Sequence, residues 1–201
     1  MKRNSLLHYL AGMTFLCVSA TGLAITIDFE GLTDSTGVGS TYSGLGVTFS
    51  GATVLTSGIS LNESEFPPHS GLNVVFDDGG PLSGVFTTPV SSLSAYLTYV
   101  VPVTLYAYDS GGSLLGSITS AFADNTVSSG GTPNELFAFN SAVGIKSFSF
   151  VGDPTGASFT LDDFSCEPTT TAVPDTGSCG ALLVISLAAL QLFSRGFARL
   201  R

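Results

Sequence analysis

Short segments of alternating apolar and polar residues, broken by glycine, aspartate, asparagine, serine and proline, fill the chain from Ile25 to Glu167. Successive side chains of a β-strand point to opposite faces of its sheet, so this alternation predicts strands with one buried face. The segments read AITIDFE, GVTFS, ATVLT, NVVF, LSGVFTT, VSSLSAYLTYV, PVTLYAYD, SLLGSITSAF, ELFAFN, GIKSFSFVG and ASFTLDDFSC. None carries a sustained helical period with caps. The sequence therefore predicts an all-β, antiparallel β-sandwich over residues 25–167.

The charges are distributed unevenly along the 201 residues. Five of the six basic residues lie near the two ends, whereas all fifteen acidic residues lie between Asp28 and Asp175, with Lys146 as their only basic neighbour. Such a body has no basic patch to displace counterions from phosphates, which excludes nucleic acid as a partner. It attracts divalent cations instead.

The N-terminus has the pattern of a secretory signal peptide. Lys2 and Arg3 precede an apolar run over residues 6–18, and Gly22-Leu23-Ala24 fits a small-x-small cleavage site. We predict a signal peptide over residues 1–24, removed by signal peptidase, with residues 18–20 as a second candidate site. An uncleaved anchor is the alternative, but the run is shorter than the about 20 residues of a membrane span.

The C-terminus changes composition three times. Residues 168–179 form a polar, threonine-rich spacer, residues 180–194 are apolar, and residues 195–201 are basic. The apolar segment predicts a transmembrane helix that suits a thin bilayer. By the positive-inside rule the basic tail remains in the cytoplasm. The tail charges are Arg195, Arg199 and Arg201, and the spacer holds the motif Val173, Pro174, Asp175, Thr176, Gly177.

Motif, apolar helix and basic end, in that order, resemble the C-terminal sorting signal of exosortase substrates, the PEP-CTERM class. The variant that reads V-P-D-S-G (VPDSG-CTERM) is the most similar, with Thr176 at its serine position. The resemblance implies an exported protein held first in the inner membrane of a Gram-negative-type bacterium. An exosortase-type membrane peptidase then releases it to the cell surface or extracellular matrix. A Gram-positive L-P-x-T-G signal and a plain tail anchor are the alternatives.

The body is similar to exported β-sandwiches of the jelly-roll, carbohydrate-binding-module type. The segments that carry this resemblance are IDFEGL, LGVTFSGATVL and GASFTLDDF. The resemblance implies a jelly-roll-like fold and a candidate structural calcium site.

The candidate calcium ligands are Glu30, Asp162 and Asp163. The first and last strands of a jelly roll commonly lie close together, which would bring these carboxylates near one another. Calcium takes six to eight oxygens, so backbone carbonyls would complete the shell. Strict alternation lets only one of Asp162 and Asp163 face a given side. The alternative is a set of solvated carboxylates.

The polar loop SLNESEFPPHSGLNVVFDDGG is the candidate site for acid–base chemistry. Glu63 and Glu65 would lie about 7 Å apart on an extended segment, a separation found between glycosidase carboxylates. His69 would be needed for a Ser-His-Asp triad, but the body has no G-x-S-x-G elbow. The body also has no tryptophan and no arginine. We predict a surface loop, no catalytic residues and no enzymatic activity.

Four tyrosines are candidates for stacking on sugars: Tyr96, Tyr99, Tyr106 and Tyr108. Alternation places Tyr106 and Tyr108 on the face opposite Leu105, where they would form an exposed strip. The interpretation that we favour is that the rings are buried with their hydroxyl groups at the edge of the core, because no other sugar-binding signal accompanies them.

These patterns predict an exported surface or matrix protein with a structural or adhesive role. The alternative is a carbohydrate-binding module with an extracellular polysaccharide as its partner, and a secreted glycoside hydrolase comes third. Cys166 and Cys179 pair or remain free thiols, and the sequence leaves both possibilities open.

Overall fold

The computed structural model describes residues 23–169, which form nine β-strands and two single turns of 3-10 helix, Ser43–Leu45 and Val127–Ser129. The strands are β1 (Ile25–Ile27), β2 (Val47–Ser50), β3 (Ala52–Thr56), β4 (Asn73–Asp77), β5 (Leu82–Tyr99), β6 (Thr104–Tyr108), β7 (Leu114–Thr119), β8 (Glu135–Val151) and β9 (Phe159–Pro168). Every pair among these strands is antiparallel.

Two long strands, β5 and β8, belong to both layers of the fold. The N-terminal half of β5 pairs with β2 and with the C-terminal half of β8, which also pairs with β6. The C-terminal half of β5 pairs with β9 and with the N-terminal half of β8. The first layer therefore contains β1, β3, β4, β9 and one half of each long strand. The second layer contains β2, β6, β7 and the other halves.

The sequence predicted eleven segments, and the structure joins four of them into these two long strands. Each junction contains residues that break strand pairing, namely Pro89 in β5 and Gly144, at φ +94°, in β8. The β5–β8 register shifts between Val85 and Val90 and again between Val90 and Ser92. Proline and glycine are tolerated there because the chain bends from one layer to the other at irregular pairing.

Phenylalanine rings fill the space between the layers. Phe49 of β2 lies 5.2 Å from Phe164 of β9, measured between ring centroids, so the two layers meet there. Phe148 lies between them, 6.0 Å from Phe49 and 5.0 Å from Phe164. Its ring lies against Gly84, where a Cβ atom would be 2.3 Å from the ring. The predicted antiparallel β-sandwich is confirmed.

The terminal segments with predicted sorting roles lie outside the described residues. They are residues 1–22 of the signal peptide, the spacer beyond Thr169, the apolar segment 180–194 and the tail 195–201. Within residues 23–169, no helix has the length and apolar character needed to cross a membrane.

Candidate functional site

Strand β6 places two tyrosines side by side on the outer surface of the second layer. Leu105 and Ala107 point inward and are fully buried. Tyr106 and Tyr108, at the alternate positions, are half-buried, so part of each residue meets solvent. The alternation predicted for this strand is confirmed.

The strand register extends this pair across all five strands of the layer. Tyr106 lies opposite Ser149 of β8 on one side and Ser117 of β7 on the other. Ser149 lies opposite Ser83 of β5, which in turn lies opposite Ser50 of β2. Residues that share a register position point to the same side of a sheet, so these five side chains form one row.

A second row runs beside the first. Its members in β2, β5, β6 and β8 lie two residues away from those of the first row. Tyr108 lies opposite Ser147 of β8 and Leu114 of β7. Ser147 lies opposite Val85, and Val85 opposite Thr48. We call the two rows the Ser/Tyr face: Ser50, Ser83, Ser149, Tyr106, Ser117, Thr48, Val85, Ser147, Tyr108 and Leu114.

The Ser/Tyr face combines apolar surface with hydroxyl groups. The exposed fraction is 52% for Val85 and 56% for Leu114. The hydroxyl oxygens of Ser83 and Ser149 lie 3.0 Å apart and hydrogen bond to each other. A hydroxyl group has one donor and two acceptor positions, so such a pair can still bond outward. The face therefore suits a ligand that has both apolar surface and many hydroxyl groups.

No residue of the Ser/Tyr face is charged, although residues 25–167 contain fourteen acidic side chains. The one lysine of this domain, Lys146, directs its ammonium group to the backbone carbonyl oxygen of Thr87, at 2.8 Å. Asp109 follows Tyr108 in the turn to β7, where one carboxylate oxygen accepts hydrogen bonds from the backbone of Gly111 and Ser113. The charges therefore lie at the edges of the face or elsewhere on the domain.

The other two candidate tyrosines do not belong to this surface. Tyr99 is fully buried, and its hydroxyl group donates a hydrogen bond to Glu135. Burial and this bond raise the pKa of Tyr99 to about 12. Tyr96 lies on the outer side of the first layer, where the imidazole of His69 stacks on its ring at a centroid distance of 3.5 Å. For Tyr99, the favoured prediction of a buried ring is confirmed.

The loop that carries His69 crosses the outer side of the first layer and is fastened there by carboxylates. Asp162 accepts hydrogen bonds from the backbone N–H groups of His69 (2.8 Å) and Ser70 (2.9 Å). Asp163 lies 2.6 Å from Nδ1 of His69 and accepts a bond from the Ser70 hydroxyl. The loop covers Asp162, whose exposed fraction is 1%. Burial raises the pKa of Asp162 to about 6, in spite of its N–H donors.

The expectation that only one of Asp162 and Asp163 faces a given side is wrong. Both contact the same loop because β9 contains a bulge at this point. Between Ser94 and Tyr96 of β5 the partner strand has one extra residue, and Asp163 has a φ of +46°. A bulge of this kind redirects side chains that strict alternation would send apart.

The predicted calcium ligands are occupied by hydrogen-bond donors in the structure. The first and last strands do pair, with Ile25 opposite Cys166. Glu30 accepts bonds from the backbone of Leu72 (2.9 Å) and Asn73 (2.7 Å), on the same segment whose His69 and Ser70 bond to Asp162. Across residues 23–169, no three His, Cys, Asp or Glu side chains are grouped as metal ligands. The calcium site stays a prediction.

The candidate acid–base residues accept hydrogen bonds that hold loops in place. Glu63 accepts a bond from the backbone of Gly58, whereas Glu65 accepts one from Ser128 on a different loop. The hydroxyl group of Ser70 bonds to Asp163. A catalytic serine would instead bond to the imidazole nitrogen that is not held by the aspartate. His69, Asp163 and Ser70 are therefore not in the order of a catalytic triad.

Cys166 is buried in the core, with an exposed fraction of 3%. Burial raises the pKa of its thiol to about 11, which suppresses the reactive thiolate. Its proposed partner Cys179 lies outside the described residues, so the disulfide stays a prediction.

Sequence reasoning found the two tyrosines but missed the serines that surround them. Ser83, Ser147 and Ser149 alternate with buried residues in LSGVF and KSFSF, and this alternation marks them as outward-facing. It does not reveal which strand lies beside which. The available signal was the pair of serines at alternate positions in β8, Ser147 and Ser149.

No protein-family model matches this chain, and no curated protein matches it by sequence. Several solved structures show a distant likeness. The K1 cleaved adhesin domain of Lys-gingipain from Porphyromonas gingivalis W83 is 11% identical, with a TM-score of 0.45, over 73% of this chain and 99% of that one. The K2 adhesin domain of Lys-gingipain is 15% identical, with a TM-score of 0.47, over 72% and 99%.

The CBM22-1 xylan-binding domain of Paenibacillus barcinonensis Xyn10C is 15% identical to this chain. Its TM-score is 0.41, over 76% of this chain and 98% of that domain. At this distance these structures assign no ligand to the present protein.

Proposed function

We propose that this chain is an exported carbohydrate-binding module that holds a polysaccharide on its Ser/Tyr face. The observation that carries the proposal is the placement of Tyr106 and Tyr108 side by side in an uncharged surface of hydroxyl groups. The proposal assigns the domain to the exported, jelly-roll-like class that its sequence resembles. It includes no catalytic group.

The chemistry of a sugar ring fits this surface. A pyranose ring has an apolar C–H face, which can pack on the exposed part of a tyrosine ring, and a rim of hydroxyl groups. Tyrosine is suited to such contacts because it combines a large apolar ring with a polar hydroxyl group. The neighbouring serines Ser83, Ser147 and Ser149 offer donors and acceptors at the level of the sheet. Ligand sites typically have a small number of precisely placed polar groups around an apolar platform.

A structural or adhesive role with a protein partner is the second candidate. Val85 and Leu114 favour it, because they add exposed apolar surface beside Tyr108. Both functions would place the protein at the cell surface or in the extracellular matrix. They differ in whether a purified glycan alone binds.

Loss of the tyrosine rings is expected to abolish glycan binding. Alanine at a binding hot spot typically costs about 2 kcal/mol or more, roughly a thirtyfold loss of affinity. The variant Tyr106→Ala/Tyr108→Ala should therefore lose retention on polysaccharide gels that retain the wild-type protein. The matched control Tyr106→Phe/Tyr108→Phe keeps both rings and should keep most of the affinity.

Two results would count against this function. If no glycan in an array of plant, bacterial and animal polysaccharides retains the wild-type protein, the adhesive role with a protein partner is favoured. If a glycan binds but the double alanine variant binds it equally well, the site lies elsewhere on the domain. Circular dichroism of each variant shows whether it is folded.

We propose in addition that the C-terminal motif directs the exported protein to an exosortase-type peptidase, which releases it from the membrane. The support is the order of motif, apolar segment and arginines in the sequence. In a host with such a peptidase, Pro174→Ala should leave the uncut precursor in the membrane fraction. Thr171→Ala, in the spacer just before the motif, serves as the control and should be processed normally. Equal processing of both variants on an immunoblot would refute the role of the motif.

A further inference from the structure

We infer that the polysaccharide is uncharged, and that the Ser/Tyr face selects neutral glycans against glycans that carry carboxylate or sulfate groups. The inference rests on the proposed function and specifies its ligand class. It follows from three features: the chemistry of the face, the charges at its two ends and the field of the whole domain.

The Ser/Tyr face has no cation to bind an anionic sugar. Removing a carboxylate from water is costly unless a positive group or several strong donors compensate for it. Proteins commonly supply arginine for this purpose, because its guanidinium group bonds a carboxylate through two N–H groups. Residues 25–167 contain no arginine. The single lysine, Lys146, precedes Ser147 of the face, and its ammonium group donates a hydrogen bond to the backbone carbonyl oxygen of Thr87.

An aspartate lies at each end of the two central strands of the face. Asp109 immediately follows Tyr108 at the end of β6. Asp153 lies two residues beyond the end of β8, and the antiparallel pair of Thr104 with Val151 places that end beside the start of β6. Hydrogen bonds from Thr155 hold the pKa of Asp153 below its usual value, so it remains charged.

The length of β6 makes these end charges relevant to any bound polymer. Five residues of strand span about 17 Å. The screening length is about 8 Å at physiological ionic strength, so a sugar bound near either end lies within reach of one aspartate. A glycan laid along β6 would therefore place its own carboxylates close to Asp109 or Asp153.

The field of the whole domain acts in the same direction. Fourteen acidic residues and one lysine between Ile25 and Glu167 give a strongly negative body. Such a body slows the approach of a polyanion and does not affect a neutral chain. This part of the discrimination is long-ranged and should weaken with added salt.

The test compares each polymer with its own oxidised form. A neutral β-glucan, a neutral galactomannan and starch are each paired with a derivative whose primary alcohols are oxidised to carboxylates. Affinity gel electrophoresis at low and high salt measures the dissociation constants for the wild-type protein and for Tyr106→Ala/Tyr108→Ala. We expect at least one neutral polymer to bind about tenfold more tightly than its oxidised partner at low salt. The ratio between the two dissociation constants should be smaller at high salt.

Failure of this inference is distinguishable from failure of the proposed function. If the oxidised polymers bind as well as or better than the neutral ones, and the double alanine variant loses that binding, the Ser/Tyr face binds glycans but the neutral class is wrong. If none of the six polymers is retained, both the function and the inference are overturned.

A charge placed on the face provides a second test. Ser149→Lys introduces an ammonium group beside Tyr106 and should raise affinity for the oxidised polymer, reducing the discrimination several-fold. Ser94→Lys adds the same charge to the outer side of the first layer and is the control. Equal effects of the two variants would show that net charge alone is responsible and would overturn selection by the face.

Discussion

Replacement of Phe148 by alanine is expected to lower the free energy of unfolding by about 3–5 kcal/mol, the usual cost of removing a buried phenylalanine ring. Phe148 is 1% exposed and contacts rings from both layers. The nearest centroids are those of Phe164 at 5.0 Å, Phe86 at 5.5 Å, Phe150 at 5.8 Å and Phe49 at 6.0 Å. The cavity would open on the inner side of the second layer, where Phe148 lies between Ser147 and Ser149 in β8, so the Ser/Tyr face should lose its support.

Urea denaturation followed by fluorescence or circular dichroism measures this change. Leu136→Ala is the matched control, because Leu136 lies on the same strand with an exposed fraction of 52%. It should cost less than about 1 kcal/mol, as surface substitutions usually do. A loss below about 1 kcal/mol for Phe148→Ala would contradict the assignment of this ring to the centre of the core.

Replacement of Gly156 by alanine is expected to cost about 2–5 kcal/mol. Gly156 has a φ of +83°, a conformation that costs an L-residue about 1–2 kcal/mol. A Cβ atom there would also lie 2.5 Å from the carbonyl oxygen of Asp77 and 2.6 Å from the nitrogen of Gly79. These are backbone atoms and cannot move aside cheaply, so overpacking adds about 1–3 kcal/mol.

Gly130 separates the two contributions. Its φ is +76°, yet no atom lies within 4 Å of a Cβ built at this position. Gly130→Ala should therefore show only the cost of the left-handed backbone, about 1–2 kcal/mol. Thermal or urea unfolding of the two variants gives the comparison. If both variants lost the same free energy of unfolding, the turn at Gly156 would have relaxed around the new methyl group, and its close packing would add nothing to the cost.

The turn at Gly156 is tightly packed because it covers a buried carboxylate. Asp77 is fully buried and accepts hydrogen bonds from the backbone of Ser158 (2.7 Å) and Phe159 (3.0 Å) and from the Ser158 hydroxyl. Burial raises the pKa of Asp77. A shift of this turn would leave the carboxylate without its donors, and a buried charge without partners is strongly destabilising.

The alternation of side chains allowed the strands and their buried faces to be predicted. In β6 it correctly separated Leu105 and Ala107 from Tyr106 and Tyr108. It could not predict the rows of the Ser/Tyr face, because a row depends on which strands are neighbours and on their register. Strand neighbours and register follow from long-range packing and from the bends in β5 and β8. From the local sequence pattern, each bend was predicted to be a break between two strands.

The surroundings of His69 illustrate the same limit. Proximity of the first and last strands was anticipated, and β1 does pair with β9. The bulge at Asp163 was not predicted, because its single extra residue becomes visible only when β9 is aligned against β5. With it, Asp162 and Asp163 both contact the loop, and His69 covers Tyr96. The ring of Tyr96 is therefore stacked by a loop residue, for a reason that the sequence pattern does not contain.

If the glycan binds to the outer side of the second layer, the amide chemical shifts of that layer should change on binding. NMR spectra are recorded while a neutral oligosaccharide that binds the protein is added stepwise. We expect the largest changes at Ser83, Tyr106, Tyr108 and Ser149, with little change at Tyr96. Changes centred on Tyr96 and the His69 loop, with the Ser/Tyr face unaffected, would contradict binding at the second layer.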